Sequence, residues 1–138
     1  MDYQRMTAPC GMDCFNCVLY LANTDKDLRD KVSKRFGISF ERAVCRGCRD
    51  ENGTIGAINM TEPCNVYKCT TKKGLSFCSD CSDFPCDYLH PYADFASEGI
   101  HNCKVFNLGL IKKMGVEAWA ETKATSVRDT YLKGKFKL

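Results

Sequence analysis

The chain has little of what most enzymes use to move protons. Its 138 residues include two histidines, His90 and His101, so the material for an acid–base or nucleophilic constellation is thin. No run approaches the roughly 18 apolar residues that a membrane helix needs, which excludes a helical span and a membrane partner. The opening MDYQRMTAPCGMDC lacks the apolar stretch and cleavage site of a secretory leader, so a cytoplasmic setting is expected. Strong charge is also missing. The formal net charge of +3 argues against nucleic acid as a partner. There is no repeat of solenoid length and no low-complexity tract, and the length suits one domain of about 100–150 residues.

What the chain has is cysteine. Ten of its eleven cysteines fall in four groups: Cys10, Cys14 and Cys17; Cys45 and Cys48; Cys64 and Cys69; and Cys78, Cys81 and Cys86. Spacings of two to four residues bring thiolates close enough to share an ion. In a reducing compartment so many cysteines mean metal or redox chemistry more often than disulfides, and the odd count fits a closed disulfide framework poorly. Zinc is the expected cofactor, two ions in all. Each four-thiolate zinc site carries about −2, so two would turn the formal +3 into about −1. The basicity belongs to the metal-free chain. It is also uneven. From His101 onward there are eight Lys or Arg against three acidic residues, whereas the first hundred residues hold twelve against fourteen. A solvated basic helix face explains this most simply.

Cys14 and Cys17 are three residues apart, on one face of an expected helix over 13–23 capped by Asp13. Cys45-Arg-Gly-Cys48 is a knuckle in which the glycine lets amide groups point at sulfur. These two pairs can close one site of four thiolates. Cys78, Cys81 and Cys86 offer three more ligands, and Cys69 the fourth. Cys64 and Cys69 lie five apart, roughly 140° around a helix, and should not bind one ion. Cys64 is therefore a ligand of second choice. So is Cys10, which either replaces a first-site ligand or stays a buried thiol. Cys103 stands alone and is expected to be a metal-free thiol buried on the Phe106 and Leu110 side of its helix. His90 and His101 are expected at the surface or beside the ligands, and Trp119 in the core.

The rest of the pattern predicts a mainly α domain with at most a short hairpin. Helices are expected over 24–36 with Thr24 as cap, 39–44, 62–73, 85–96, 101–114 and 116–124. Asn52-Gly53 inside the run from Arg49 to Asn59 can make a hairpin turn. The metal-binding domain is placed at 1–124 and a basic tail at 125–138.

One motif invites a sharper reading. Cys10-Gly-Met-Asp-Cys14-Phe-Asn-Cys17 has the CxxxCxxC spacing of radical S-adenosylmethionine enzymes. Asn16 stands where those enzymes usually carry an aromatic, and no βα alternation supplies their barrel. An iron–sulfur cluster for electron transfer or redox sensing is the stronger alternative, because four thiolates suit iron as well as zinc. A thiol enzyme is weaker, since neither CxxC follows a convincing strand.

Taken together, the residues resemble the family called domain of unknown function 3795. The matching features are Cys10-Gly-Met-Asp-Cys14-Phe-Asn-Cys17 with Tyr20, Cys45-Arg-Gly-Cys48-Arg49, Cys64-Asn-Val-Tyr-Lys-Cys69, Lys73-Gly74, and Cys78-Ser-Asp-Cys81-Ser-Asp-Phe84-Pro85-Cys86. Asn107-Leu108, Gly115 and Trp119 continue the likeness. The resemblance implies zinc binding and no established activity, and Cys103 falls outside it. The expected role is a zinc-bearing binding or adaptor module, with another protein as its partner.

Overall fold

The longest helical stretch of the chain lies near its C-terminus. In the computed structural model, which describes residues 1–93 and 103–133, helix α4 (Lys104–Met114) turns at Gly115 into a second helical run. That run begins as α5 (Val116–Trp119), loosens into a π-turn over Ala120–Ala124, and continues as α6 (Thr125–Lys133). The residues placed in a basic tail thus include a nine-residue helix up to Lys133. Trp119 is fully buried between these elements. Its indole N–H donates to the Asn107 side-chain oxygen at 3.4 Å, so the largest core side chain also has its polar atom partnered.

The preceding residues form short elements around that core. They are α1 (Val18–Leu21), α2 (Lys26–Phe36) and α3 (Asn65–Lys73), joined by 3-10 turns. No strand forms among the described residues; Thr7 and Asp13 make an isolated antiparallel bridge. The domain is small and mainly α. No helix of the described residues is long and apolar enough to cross a membrane.

Several local expectations are corrected. Asp13 does not cap a helix over 13–23. Its carboxylate is taken by Arg128 and Asn16, so Cys14–Asn16 is a 3-10 turn, Cys17 is extended, and helix resumes at Val18. Asp25 caps α2 in place of Thr24, accepting from the Leu28 N–H at 2.9 Å. The expected 39–44 helix is one 3-10 turn, Phe40–Arg42.

The run from Arg49 to Asn59 makes no hairpin, because its backbone groups are engaged elsewhere. The Glu51 carboxylate accepts from the Arg46 and Gly56 amides, and the Gly53 carbonyl accepts from the Cys64 N–H. Helix α3 starts later than expected, with Cys64 as its cap and Pro63 outside it. Within 85–96 the described part holds only the 3-10 turn Asp87–Leu89. Residues 94–96, His101 and residues 134–138 lie outside the described residues.

Helix α4 buries Lys104, Asn107, Leu108 and Ile111, while Val105 is 37% and Phe106 61% exposed. The Phe106 side is therefore not the core side. Cys103 is half-buried at the helix start, near Asp13 and Arg128. Burial raises its thiol, and the Asp13 charge adds to the rise.

Candidate metal centre

Two sets of thiols emerge. The first is assembled from three segments, residues 10–17, residues 45–48 and Cys64. Gly47 has φ +90, which suits glycine, and a Cβ placed there would sit 3.7 Å from the Cys14 sulfur. The Gly47 N–H donates to the Cys45 sulfur at 3.3 Å. The knuckle of Cys45 and Cys48 is thereby laid against the Cys14 turn. The Cys45 N–H donates to the Leu19 carbonyl, which ties the knuckle to α1.

Cys64 joins by a relay through Gly53, whose N–H donates to the Cys48 carbonyl while its carbonyl accepts from the Cys64 N–H. The Cys64 sulfur in turn caps α3, accepting from the Tyr67 N–H at 3.4 Å. Phe15, between Cys14 and Cys17, meets the Trp119 ring edge-on at 5.9 Å. The cysteine turn is in this way anchored to the helical core.

The electrostatics of the first set follow from burial. Burial pushes the Cys14 thiol up to about 12, with Cys17, Cys10 and Cys45 adding to the rise. Cys45 is pushed up to about 11 by burial, against the Gly47 amide. Burial also raises Cys10 and Cys48, and Cys48 feels Cys10, Cys14, Cys64 and Cys45 in turn. Such thiols stay protonated at neutral pH until a cation supplies the opposite charge.

The second set lies between α3 and the Cys78–Asp80 turn. Cys69, Cys78, Cys81 and Cys86 line one cavity of about 360 Å³ together with Val66, Thr70, Lys73, Asp83 and Phe84. Asp80 holds the turn by accepting from the Phe77 N–H at 2.9 Å. At the rim, the Lys73 ammonium donates to the Cys81 sulfur at 3.2 Å and to the Asp83 carboxylate at 2.8 Å. Those bonds, to Asp83 first, hold the ammonium above its ordinary value. Burial pushes Cys78 up to about 12, and the nearby Cys10, Cys86, Cys69 and Cys81 contribute. The two sets touch at Cys10, since the Cys78 N–H donates to the Pro9 carbonyl at 2.9 Å. Cys64, the cap of α3, and Cys69, at its middle, lie in different sets.

As they lie, no three His, Cys, Asp or Glu side chains among the described residues are disposed to hold an ion. The donor chemistry nevertheless fits a soft or borderline metal, because both sets consist of thiols alone, with zinc or iron as the natural guests. His90 is exposed, and its Nδ1 accepts from the Tyr92 N–H at 3.1 Å; it does not line the cavity.

Sequence reasoning named Arg49 only as part of a resemblance and missed Arg128 and Lys104. Arg128 makes a two-pronged pair with the buried Asp13 carboxylate, Nε to Oδ2 at 2.8 Å and Nη2 to Oδ1 at 2.5 Å. Arg49 donates to the Thr7 and Ser76 carbonyls and stacks over the Phe77 ring at 5.1 Å, so it clamps the segments leading into both sets. Lys104 is 4% exposed. Arg49 adjoins a recognised knuckle and was findable there. The other two come from helices distant in sequence, and no local signal marks them.

No curated protein and no solved structure matches the chain. A family model does match residues 6–91, covering both cysteine sets and ending before α4; the chain belongs to the family described as "Protein of unknown function (DUF3795)".

Proposed function

We propose that the chain is a zinc-binding module whose two thiol sets hold structural ions, and that it acts in the cytoplasm as a binding or adaptor unit for another protein. The observation that carries this is the second set, where Cys69, Cys78, Cys81 and Cys86 line one cavity. Four soft donors, with Asp83 held by Lys73 and Asp87 beside them in the lining, favour zinc over magnesium or calcium. In the first set Cys14, Cys17, Cys45 and Cys48 are the four proposed ligands, with Cys10 and Cys64 next to them. Bound zinc would supply charge neutralisation and cross-links that add to the apolar packing these segments already share. The adaptor role draws its support from the cavity mouth, where Tyr88 is 47% exposed beside Phe84. Aromatic side chains of that kind suit a protein contact.

The test is elemental analysis and visible absorption of protein purified without oxygen, followed by circular dichroism after verified metal removal. A colourless preparation with zinc, losing helical signal and melting temperature on chelation, fits the proposal. A brown, iron-containing preparation would replace zinc by an iron–sulfur cluster. A metal-free protein with an unchanged spectrum after chelation would end it.

A further inference from the structure

We propose that the groove between the end of α2 and the Gly56–Ile58 turn docks an acidic peptide segment of a partner protein, which inserts one bulky apolar side chain. The groove is a second surface for the binding role above and needs no metal in either thiol set. Leu19, Phe36, Ile38, Arg42, Ala57 and Ile58 line a cavity of about 220 Å³ there. Ala57 is buried at its base, while Phe36 is 51% and Ile58 48% exposed. Exposed apolar side chains gathered around one hollow mark an interaction site, as the same residues scattered singly do not. The volume falls below the roughly 300–1,000 Å³ of sites that enclose small molecules. The hollow therefore suits a side chain and not a whole ligand.

The walls are set before any partner arrives. Arg29 donates to the Phe40 carbonyl at 2.7 Å and to the Glu41 carbonyl at 2.8 Å, which holds the Phe40–Arg42 turn on α2. Arg42 reaches across to donate to the Ala57 carbonyl at 3.2 Å. The Ser33 hydroxyl donates to the Ile38 carbonyl at 2.6 Å. A preformed groove loses less entropy on binding.

Charge selects what fills it. Residues 26–46 carry seven Lys or Arg against three Asp or Glu, a balance of +4, whereas the whole chain is +3 and the rest of it therefore −1. The excess lies at the groove, where Lys34 and Arg35 close α2 and Arg42 lines the hollow. Asp30 is taken by Lys34 at 2.5 Å. Arg35 lies over the Phe36 ring at 6.0 Å, and among the described residues no ion pair uses Arg35 or Arg42. An apolar hollow rimmed by guanidinium groups without carboxylates complements an apolar side chain flanked by carboxylates. Nucleic acid shares the charge but is met by aromatic stacking, which the aliphatic Leu19, Ile38 and Ile58 do not supply. An anionic bilayer does not fill a concave hollow.

The experiment selects from a library of twelve-residue peptides displayed on phage, with the full chain as bait, and measures the enriched peptide by fluorescence anisotropy. Zinc content is recorded for each sample. The expected peptides are net acidic with a recurring Leu, Ile, Phe or Trp, and they bind more weakly as salt rises. Ile58→Asp removes a wall and repels carboxylates, and should weaken binding about tenfold or more. Arg35→Glu leaves the walls intact and should weaken it about fivefold. Arg35 is exposed at a helix end, so this variant decides alone if circular dichroism shows that Ile58→Asp does not fold. Loss of binding in Tyr88→Ala with both groove variants unaffected moves the peptide to the second-set cavity and overturns the groove. Enrichment of basic peptides, or no enrichment, overturns it too. So does tighter binding of a polythymidine oligonucleotide or of phosphatidylserine vesicles, abolished by the same two substitutions. Peptide binding by a chain without zinc supports the groove while the metal reading fails; a zinc-loaded chain that selects no peptide removes the groove alone.

Discussion

The two thiol sets differ in their surroundings more than in their chemistry. The first is drawn from three segments and lies against the helical core, with Phe15 on Trp119 and Asp13 locked to Arg128. The second is nearly local, three of its four cysteines falling within nine residues, and it opens on a cavity whose rim is the exposed Lys73–Asp83 pair. If both sets bind metal as proposed, the same donor type would serve two ends. An ion in the set against the core would fasten distant parts of the chain, and one at the open cavity would organise one surface. Release of an ion should be slow from the first set and fast from the second.

The comparison is broken most easily at the two ion pairs. Asp13→Ala strands Arg128, whose side chain is 12% exposed, and should cost about 3 kcal/mol in chemical denaturation. Asp83→Ala removes a carboxylate of similar geometry from an exposed rim and should cost less than about 1 kcal/mol. Comparable losses would mean that the first set is no more embedded than the second.

The next effect is at the backbone. Gly11 has φ +83, and a methyl group there would meet the Leu108 Cγ at 2.9 Å and the Lys104 carbonyl at 3.1 Å. Gly11→Ala should therefore destabilise by about 1–3 kcal/mol, read as a lowered denaturation midpoint. A neutral result would show that the cysteine turn is not clamped to α4.

A smaller and kinetic effect separates the sets in metal-free protein. The exposed rim should let alkylating reagents reach Cys81 before Cys10 and Cys45, each 8% exposed. Mass spectrometry of timed samples gives the order, and prior labelling of Cys10 would reverse the assignment of inside and outside. The smallest effect is at Cys103. Cys103→Ala should keep the full metal content and change stability by about 0.5 kcal/mol or less, because the residue is half-buried at a helix start and outside both sets.

Much of this was legible in the cysteine spacing. The tight groups show which segments are compact, and Cys69 with Cys78, Cys81 and Cys86 can be gathered from local reach alone. Helices α2 and α3 announce themselves by periodicity and by the glycines just past their ends. The failures share a cause. Asp13 looks like a helix cap until Arg128, more than a hundred residues away in sequence, claims its carboxylate. The Asn52-Gly53 turn looks like a hairpin until Cys64 and Glu51 take its backbone partners. The buried face of α4 includes Lys104 and Asn107, which a count of apolar residues cannot select. At Asp13 a long-range polar contact overrode a local preference, and at Gly53 contacts from beyond the turn itself did; such partners leave no trace in a short window of sequence.

The central claim, that the two sets bind metal independently, is tested most directly by intact-mass measurement under native conditions of the parent chain, Cys48→Ser, Cys81→Ser and the double variant. We expect two zinc ions on the parent, one on each single variant and none on the double, since serine supplies no soft thiolate. A parent chain without metal, or single variants that lose the same ion, would contradict the partition into two centres.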